Sequence, residues 1–146
     1  MKPIRLLMVD DEEIFLSSTR TLLERRGLTV STAGSGTDAL QVLDERPIDV
    51  VVLDVRMPGM DGVETLRKIK QRHPLVEVIM LTGHATVDSA VEGLKLGAFD
   101  YLMKPWDLPD FLDKVEQARR KKEAAEERQR KTAKGADAGR SRREGE

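Results

Sequence analysis

Five short apolar runs, each followed by an amphipathic segment, constrain this chain more than any other feature. The runs fall at residues 4–9, 28–31, 50–53, 76–81 and, more weakly, 99–103. Runs of this length, rich in Val and Ile and without strict alternation, are those of strands buried on both faces. The segments between them carry helical patterns. Ile14, Leu22 and Leu23 share a face that ends at Gly27, a suitable residue just past a helix end. Ala39, Leu40 and Leu43 stop before Pro47, and Val63, Leu66 and Ile69 stop before His73-Pro74, where the pre-proline restriction disfavours further helix. Val87, Ala90, Val91 and Leu94 end at Gly97, and Leu108, Phe111, Leu112 and Val115 form the last apolar face, with Pro109 in its first turn. Strict β-then-α alternation calls for a parallel sheet covered by helices on both faces. A closed eight-unit barrel would need roughly 250 residues, more than the 146 present. The expected fold class is therefore α/β, an open, doubly wound, five-stranded parallel sheet.

Composition narrows the chemistry. There is no cysteine, which excludes disulfides, thiolate metal sites and a cysteine nucleophile. The apolar stretch 6–9 stops at Asp10-Asp11, too short for a signal-peptide core or a membrane helix, so a soluble, cytoplasmic chain with no membrane partner is expected. The formal net charge of −1 conceals a segregation: residues 1–115 hold 14 Lys/Arg and 19 Asp/Glu, whereas residues 116–146 hold 11 and 7. Between Glu116 and Lys131 alanine is the only apolar residue type, and pairs such as Glu116–Arg120, Arg119–Glu123 and Lys122–Glu126 have the spacing that supports an exposed helix. Residues 132–146 are polar and contain Gly135, Gly139 and Gly145, so they read as disordered. The expected organisation is a domain over 1–119, then a charged helical extension and disordered tail over 120–146.

In an open α/β sheet, ligands bind beyond the carboxyl ends of the strands. Asp10 and Asp11 follow the first run, Asp54 the third, Thr82 the fourth and Lys104 the fifth. Taken singly, each has an ordinary explanation: capping of the first helix for Asp10 and Asp11, a loop carboxylate for Asp54, capping of the following loop for Thr82, a solvated charge for Lys104. Their joint arrival at one sheet edge favours a shared site.

The motifs Val9-Asp10-Asp11, Leu53-Asp54-Val55-Arg56-Met57-Pro58-Gly59-Met60-Asp61-Gly62, Leu81-Thr82-Gly83 and Lys104-Pro105 resemble those of the receiver domain of bacterial two-component response regulators. The resemblance covers about residues 2–119. From Gly83-His84-Ala85-Thr86 through Gly97-Ala98-Phe99-Asp100-Tyr101 it looks closest to receivers attached to AAA+ transcriptional activators, although no such output domain is present in this sequence.

The resemblance implies a flavodoxin-like sheet of strand order 2-1-3-4-5. It implies a Mg²⁺ site in which Asp11 and Asp54 are direct ligands, Asp10 acts through water, and the main-chain carbonyl of Arg56 supplies a further oxygen, an all-oxygen set suited to that ion. Three clustered carboxylates repel one another; Mg²⁺ and Lys104 together would neutralise them. Asp54 would be the phosphorylated residue, with Thr82 and Lys104 assisting catalytically. Thr82 and Tyr101 would form a coupled switch that alters the face of the fourth helix, fifth strand and fifth helix, about residues 87–115. Arg56 and His84 would tune the lifetime of the aspartyl-phosphate; the alternative is that both are exposed loop residues without effect. The implied partners are a sensor histidine kinase or a histidine phosphotransfer protein, an unidentified output protein and, through the switching face, a second copy of the chain.

Two other functions compete. Arg119-Arg120-Lys121-Lys122 and Arg140-Ser141-Arg142-Arg143 offer phosphate contacts to nucleic acid. The tail also holds seven acidic residues and no aromatic residue for stacking, so a solvated helix with a frayed end is preferred and nucleic acid is not expected. A multiple-turnover phosphate hydrolase would need a general acid near Asp54, and Val55-Arg56 supplies none. The expectation is a chain that catalyses only its own phosphorylation and slow dephosphorylation.

Overall fold

The computed structural model describes residues 2–55, 62–83, 93–103 and 107–144, of which 134–144 are described through the backbone alone. Five strands, β1 (Arg5–Val9), β2 (Thr29–Ala33), β3 (Val50–Asp54), β4 (Glu77–Thr82) and β5 (Asp100–Met103), form one sheet in the order β2-β1-β3-β4-β5. All adjacent pairs are parallel. This is the expected doubly wound α/β architecture.

Side chains alternate along each strand, so neighbouring residues face opposite layers. Leu7, Val9, Val51, Leu53, Val78 and Met80 pack on one side with Ala39, Leu40 and Leu43 of α2 (Gly36–Glu45) and Leu66 and Ile69 of α3 (Gly62–Arg72). Leu6, Met8, Val50, Val52, Ile79 and Leu81 pack on the other with Leu16 and Leu23 of α1 (Glu13–Arg25) and Phe111, Val115 and Ala118 of the C-terminal helix (Leu108–Glu144). Both faces are buried, which is why the strands read as continuous apolar runs.

The helix stops follow the local signals. Gly27 has φ +90°, with Gly27 N–H donating to Glu24 O and Leu28 N–H to Leu23 O. Gly97, at φ +105°, repeats the arrangement, with its N–H on Leu94 O and that of Ala98 on Gly93 O. Both are the paired-bond terminus that glycine permits at a left-handed residue. Of the fourth amphipathic segment only residues 93–95 are described as helix; Val87, Ala90 and Val91 lie outside the described residues.

The apolar face assigned to α1 needs correction. Ile14 is 83% exposed and Leu22 is also exposed, and the buried face is Leu16, Thr19 and Leu23. Ile14 lies about 200° around the helix from Leu16, so the two cannot share a face. Leu94 is likewise exposed.

The C-terminal helix needs a larger correction. It runs unbroken from Leu108 to Glu144, through the stretch read as disordered. Single glycines cost a helix only about 1 kcal/mol each, and no proline follows Pro109 to stop it. Nor are residues 116–126 merely solvated, since Ala118, Arg119 and Lys122 are buried. At the amino edge of the sheet Lys122 Nζ lies 3.1 Å from Asp49 Oδ1, and Arg5 Nη2 reaches the same oxygen at 2.7 Å. Arg5 Nε and backbone N–H hold Asp49 Oδ2 at 3.1 and 2.9 Å. Glu77, buried at the start of β4, faces Lys70 at 4.0 Å and Lys121 at 3.6 Å. Long basic side chains bury their stems while their charges reach a partner.

Two backbone and side-chain constraints have measurable consequences. A Cβ built on Gly62 would stand 2.6 Å from Val55 Cα and 2.9 Å from Asp54 O, and Gly62 N–H donates to Val55 O at 3.2 Å. The chain leaving β3 and the chain entering α3 thus touch backbone to backbone beside Asp54. Gly62→Ala is expected to destabilise the fold by about 1–3 kcal/mol, the scale of overpacking, despite alanine's better helix propensity; chemical denaturation measures it. Burial by itself would raise the Asp49 carboxyl, but the hydrogen bonds from Arg5 and Lys122 together hold it down at about 2. A depressed carboxyl contributes stability that is present above its unfolded value, near 4, and lost as pH falls toward 2. Denaturation profiles of Asp49→Asn should therefore be flatter than those of the parent across that window.

Candidate functional site at the carboxyl edge of the sheet

The polar residues that terminate the strands are brought side by side by parallel register. Val9 pairs with Leu53, so the next residues, Asp10 and Asp54, stand beside each other on adjacent chains. Asp54 pairs with Leu81, the residue before Thr82, and Thr82 pairs with Met103, the residue before Lys104. Asp54 and Thr82 are the last residues of their strands rather than loop residues following them. Asp10, Asp54 and Thr82 are 1%, 7% and 3% exposed, which is uncommon for polar side chains outside a functional or networked setting.

Asp10 is locked by its surroundings. Its N–H donates to Ala33 O at 3.1 Å across β2, and its Oδ1 accepts the N–H of Glu12 at 2.9 Å. That second bond turns the chain sharply into α1, which has no side-chain cap of its own. Asp10 therefore performs part of the capping work considered from sequence, while remaining buried at the edge.

Asp10, Asp11 and Glu12 place carboxylate oxygens within 4.8 Å of one another, Asp10 buried and the other two exposed. Hard divalent cations take oxygen ligands of this kind, and close carboxylates gain from a cation between them. The donor set fits such an ion. Glu12 is a member that the sequence reading did not assign; the run Asp10-Asp11-Glu12-Glu13 contained the signal, but nothing in it showed which carboxylates turn inward. Asp54 stands outside this mutual grouping, and its neighbourhood with Asp10 is given by strand register instead.

Tyr101 pairs with Met80 and Met103 with Thr82, so Tyr101 and Thr82 project from the same face of adjacent strands, diagonally offset. Tyr101 is partly buried and packs against the layer formed with α2 and α3. Its N–H donates to Asp100 Oδ1 at 2.7 Å. Lys104, Arg56, His84 and Trp106, and the loop segment 57–61, lie outside the described residues. Among the described residues no helix is long and apolar enough to cross a membrane.

Residues 6–116 match the family described as response regulator receiver domain. The DNA-binding transcriptional regulator NtrC of Escherichia coli is 45% identical over 115 residues, which cover 76% of this chain and 24% of NtrC. The transcriptional regulatory protein ZraR of Escherichia coli is 41% identical over 115 residues, covering 79% of this chain and 26% of ZraR. The chain thus spans about a quarter of the length of these curated relatives. Among solved structures, a response regulator receiver domain protein from Clostridium thermocellum aligns with a TM-score of 0.79 at 39% identity, covering 84% of this chain and 98% of that one. A CheY-like receiver domain protein from Methanospirillum hungatei aligns with the same TM-score at 32% identity and the same coverage. Sheet order, the acidic carboxyl edge and these relationships agree, and the chain belongs to the response regulator receiver domain family of two-component signalling.

Proposed function

We propose that Asp54 is the phosphoryl acceptor, that Asp10, Asp11 and Asp54 with the main-chain carbonyl of Arg56 hold Mg²⁺, and that Thr82, Lys104 and Tyr101 convert the modification into a changed protein-binding face. The observation that carries the reading is the burial of Asp10, Asp54 and Thr82 at the ends of three adjacent parallel strands. A carboxylate oxygen of Asp54 attacks the phosphorus of a phosphohistidine; the new O–P bond forms as the N–P bond to the imidazole breaks, and the imidazole leaves with the electron pair. When bound, the ion lowers the repulsion between the anionic nucleophile and the anionic donor. Glu12, grouped with Asp10 and Asp11, adds a carboxylate able to accept hydrogen bonds from water on such an ion.

Phosphorylation leaves Asp54 with nearly one extra negative charge. The donors that would answer it are the Thr82 hydroxyl, one position along β4 from the residue that pairs with Asp54, and Lys104, the residue that follows β5 in sequence. A shift of Thr82 frees space on the face it shares with Tyr101. The result is a population shift biased by local electrostatics. The donor is a histidine kinase or phosphotransfer protein, and a cytoplasmic location accords with that role. The chain modifies itself and slowly reverts, with Arg56 and His84 governing water access, rather than turning over a substrate pool. The output is an unidentified protein or a second copy of the chain docking on the switching face.

A nucleic-acid output is the second reading, because NtrC is named as DNA-binding. Within this chain all four basic residues of the 119–122 run are already paired: Arg119 with Glu116 and Glu123, Arg120 with Glu116, Lys121 with Glu77, and Lys122 with Asp49 and Glu126. Such a reading would rest on the second basic motif, Arg140-Ser141-Arg142-Arg143.

Asp54→Asn should abolish Mg²⁺-dependent labelling by a ³²P-phosphorylated histidine kinase, and undiminished labelling of that variant would refute the assignment. Thr82→Ala should still be labelled, while the difference in amide exchange around Tyr101 between the free and labelled forms shrinks; a full-sized difference would remove Thr82 from the switch.

A further inference from the structure

Strand β2 forms an outer edge of the sheet and pairs with β1 on one side only. Its hydrogen bonds show which residues face inward. Thr29 N–H donates to Ile4 O at 2.9 Å, and Ala33 O accepts Asp10 N–H at 3.1 Å. The N–H and C=O of a strand residue point the same way, and that direction alternates along the strand. Thr29, Ser31 and Ala33 therefore face β1, whereas Val30 and Thr32 turn their backbone groups away from the sheet. An edge of this kind is usually blunted by Lys, Pro or a bulge. The sequence Thr-Val-Ser-Thr-Ala carries neither residue, and its register with β1 is unbroken. A groove of about 690 Å³ lies along this edge, with Thr32 in its floor, Leu16 and Ser17 in its α1 wall and Asp38 and Glu45 in its α2 wall. Asp38 and Glu45 are seven residues apart and so share one face of α2. Glu13 adds a third carboxylate, and the one cation among the lining residues, Arg20, is held by Glu24 at 2.9 Å. Arg46, just past α2, is turned onto Ser31 Oγ at 3.4 Å. Glu13 also lines an adjoining hollow with Asp11 and Glu12, which extends the acidic surface.

We propose that this groove binds an extended basic segment of a partner protein, which joins the sheet as a sixth strand beside β2. The outward backbone groups of Val30 and Thr32 supply main-chain hydrogen bonds to such a segment, and the two helical walls read its side chains. Side chains of an added strand point alternately to the two layers. Those turned toward α2 meet Asp38 and Glu45, which call for Lys or Arg at every second position. Those turned toward α1 meet Leu16 and Ser17, which suit small or β-branched residues. A second copy of this chain is a poorer occupant, because pairing β2 with its own counterpart would bring acidic walls against acidic walls. Nucleic acid is excluded by the same charge. The proposal does not depend on the role given to Asp54.

The probe is a fluorescent peptide of alternating lysine and threonine, titrated with the full chain and followed by anisotropy. It should bind with a dissociation constant below about 1 mM, and a peptide of alternating glutamate and threonine should not. Two further peptides, N-methylated at every lysine or at every threonine, separate strand addition from charge alone. Only one of these two sets of N–H groups can face β2, so one peptide should bind like the parent and the other about tenfold more weakly or worse. Asp38→Asn combined with Glu45→Gln should weaken binding about fivefold or more; Asp38→Asn keeps the backbone N–H that donates to Ser35 Oγ, so α2 retains its cap. In amide exchange by NMR, the Thr32 N–H should gain protection on binding while that of Ser31, already bonded to β1, stays unchanged. No binding of the lysine–threonine peptide overturns the proposal. So do equal affinities of the two methylated peptides, undiminished binding by the double variant, or a Thr32 N–H that gains no protection.

Discussion

Parallel register of the three central strands is the constraint on which the rest of the molecule depends. Val9 beside Leu53 and Leu53 beside Met80 mean that β1, β3 and β4 end together, so that Asp10, Asp54 and Thr82 meet at one edge. A slip of one residue would exchange the two faces of a strand. It would also draw a carboxylate into an apolar layer or push a valine into the polar edge. The two buried layers, each built from alternate residues of the same strands, hold that register by packing alone, and Gly62 lets the chain after β3 turn back against its own backbone without displacing Asp54.

The same parallel arrangement creates a second charged edge at the strands' amino ends. Asp49 and Glu77 are buried there, and burying a carboxylate is costly unless cations reach it. Arg5 and Lys70 come from the sheet and its covering helix, Lys121 and Lys122 from the C-terminal helix. The opposed charges of body and tail, an acidic residue excess before 116 and a basic one after it, are in part the two halves of this contact. One sheet edge gathers acidic groups suited to a cation, and the other gathers acidic groups answered by the protein's own lysines and arginines.

Much of this was legible in the residues. The short apolar runs and their punctuation by Gly27, Pro47, Pro74 and Gly97 led to the right fold class, and polar residues closing apolar runs pointed to Asp10, Asp54 and Thr82. The errors came where a pattern of apolar residues was asked to report on burial by other means. Ile14 is apolar yet faces solvent, and α1 buries Thr19 with Leu16 and Leu23. Arg119 and Lys122 are charged yet buried, and the Lys122 partner Asp49 lies far off in sequence. Glu12 joins Asp10 and Asp11, which a run of four acidic residues cannot show, because it does not say which of them turn together.

The sequence by itself determined the alternation of strands and helices, and which residues end the strands, because both follow from local periodicity and from the polarity change at each run's end. Only the tertiary structure decided which charges are spent inside the molecule and which face outward. Ion pairing depends on distance in space rather than along the chain, and the Lys122–Asp49 pair exists only once β3 and the C-terminal helix have been packed against the same layer.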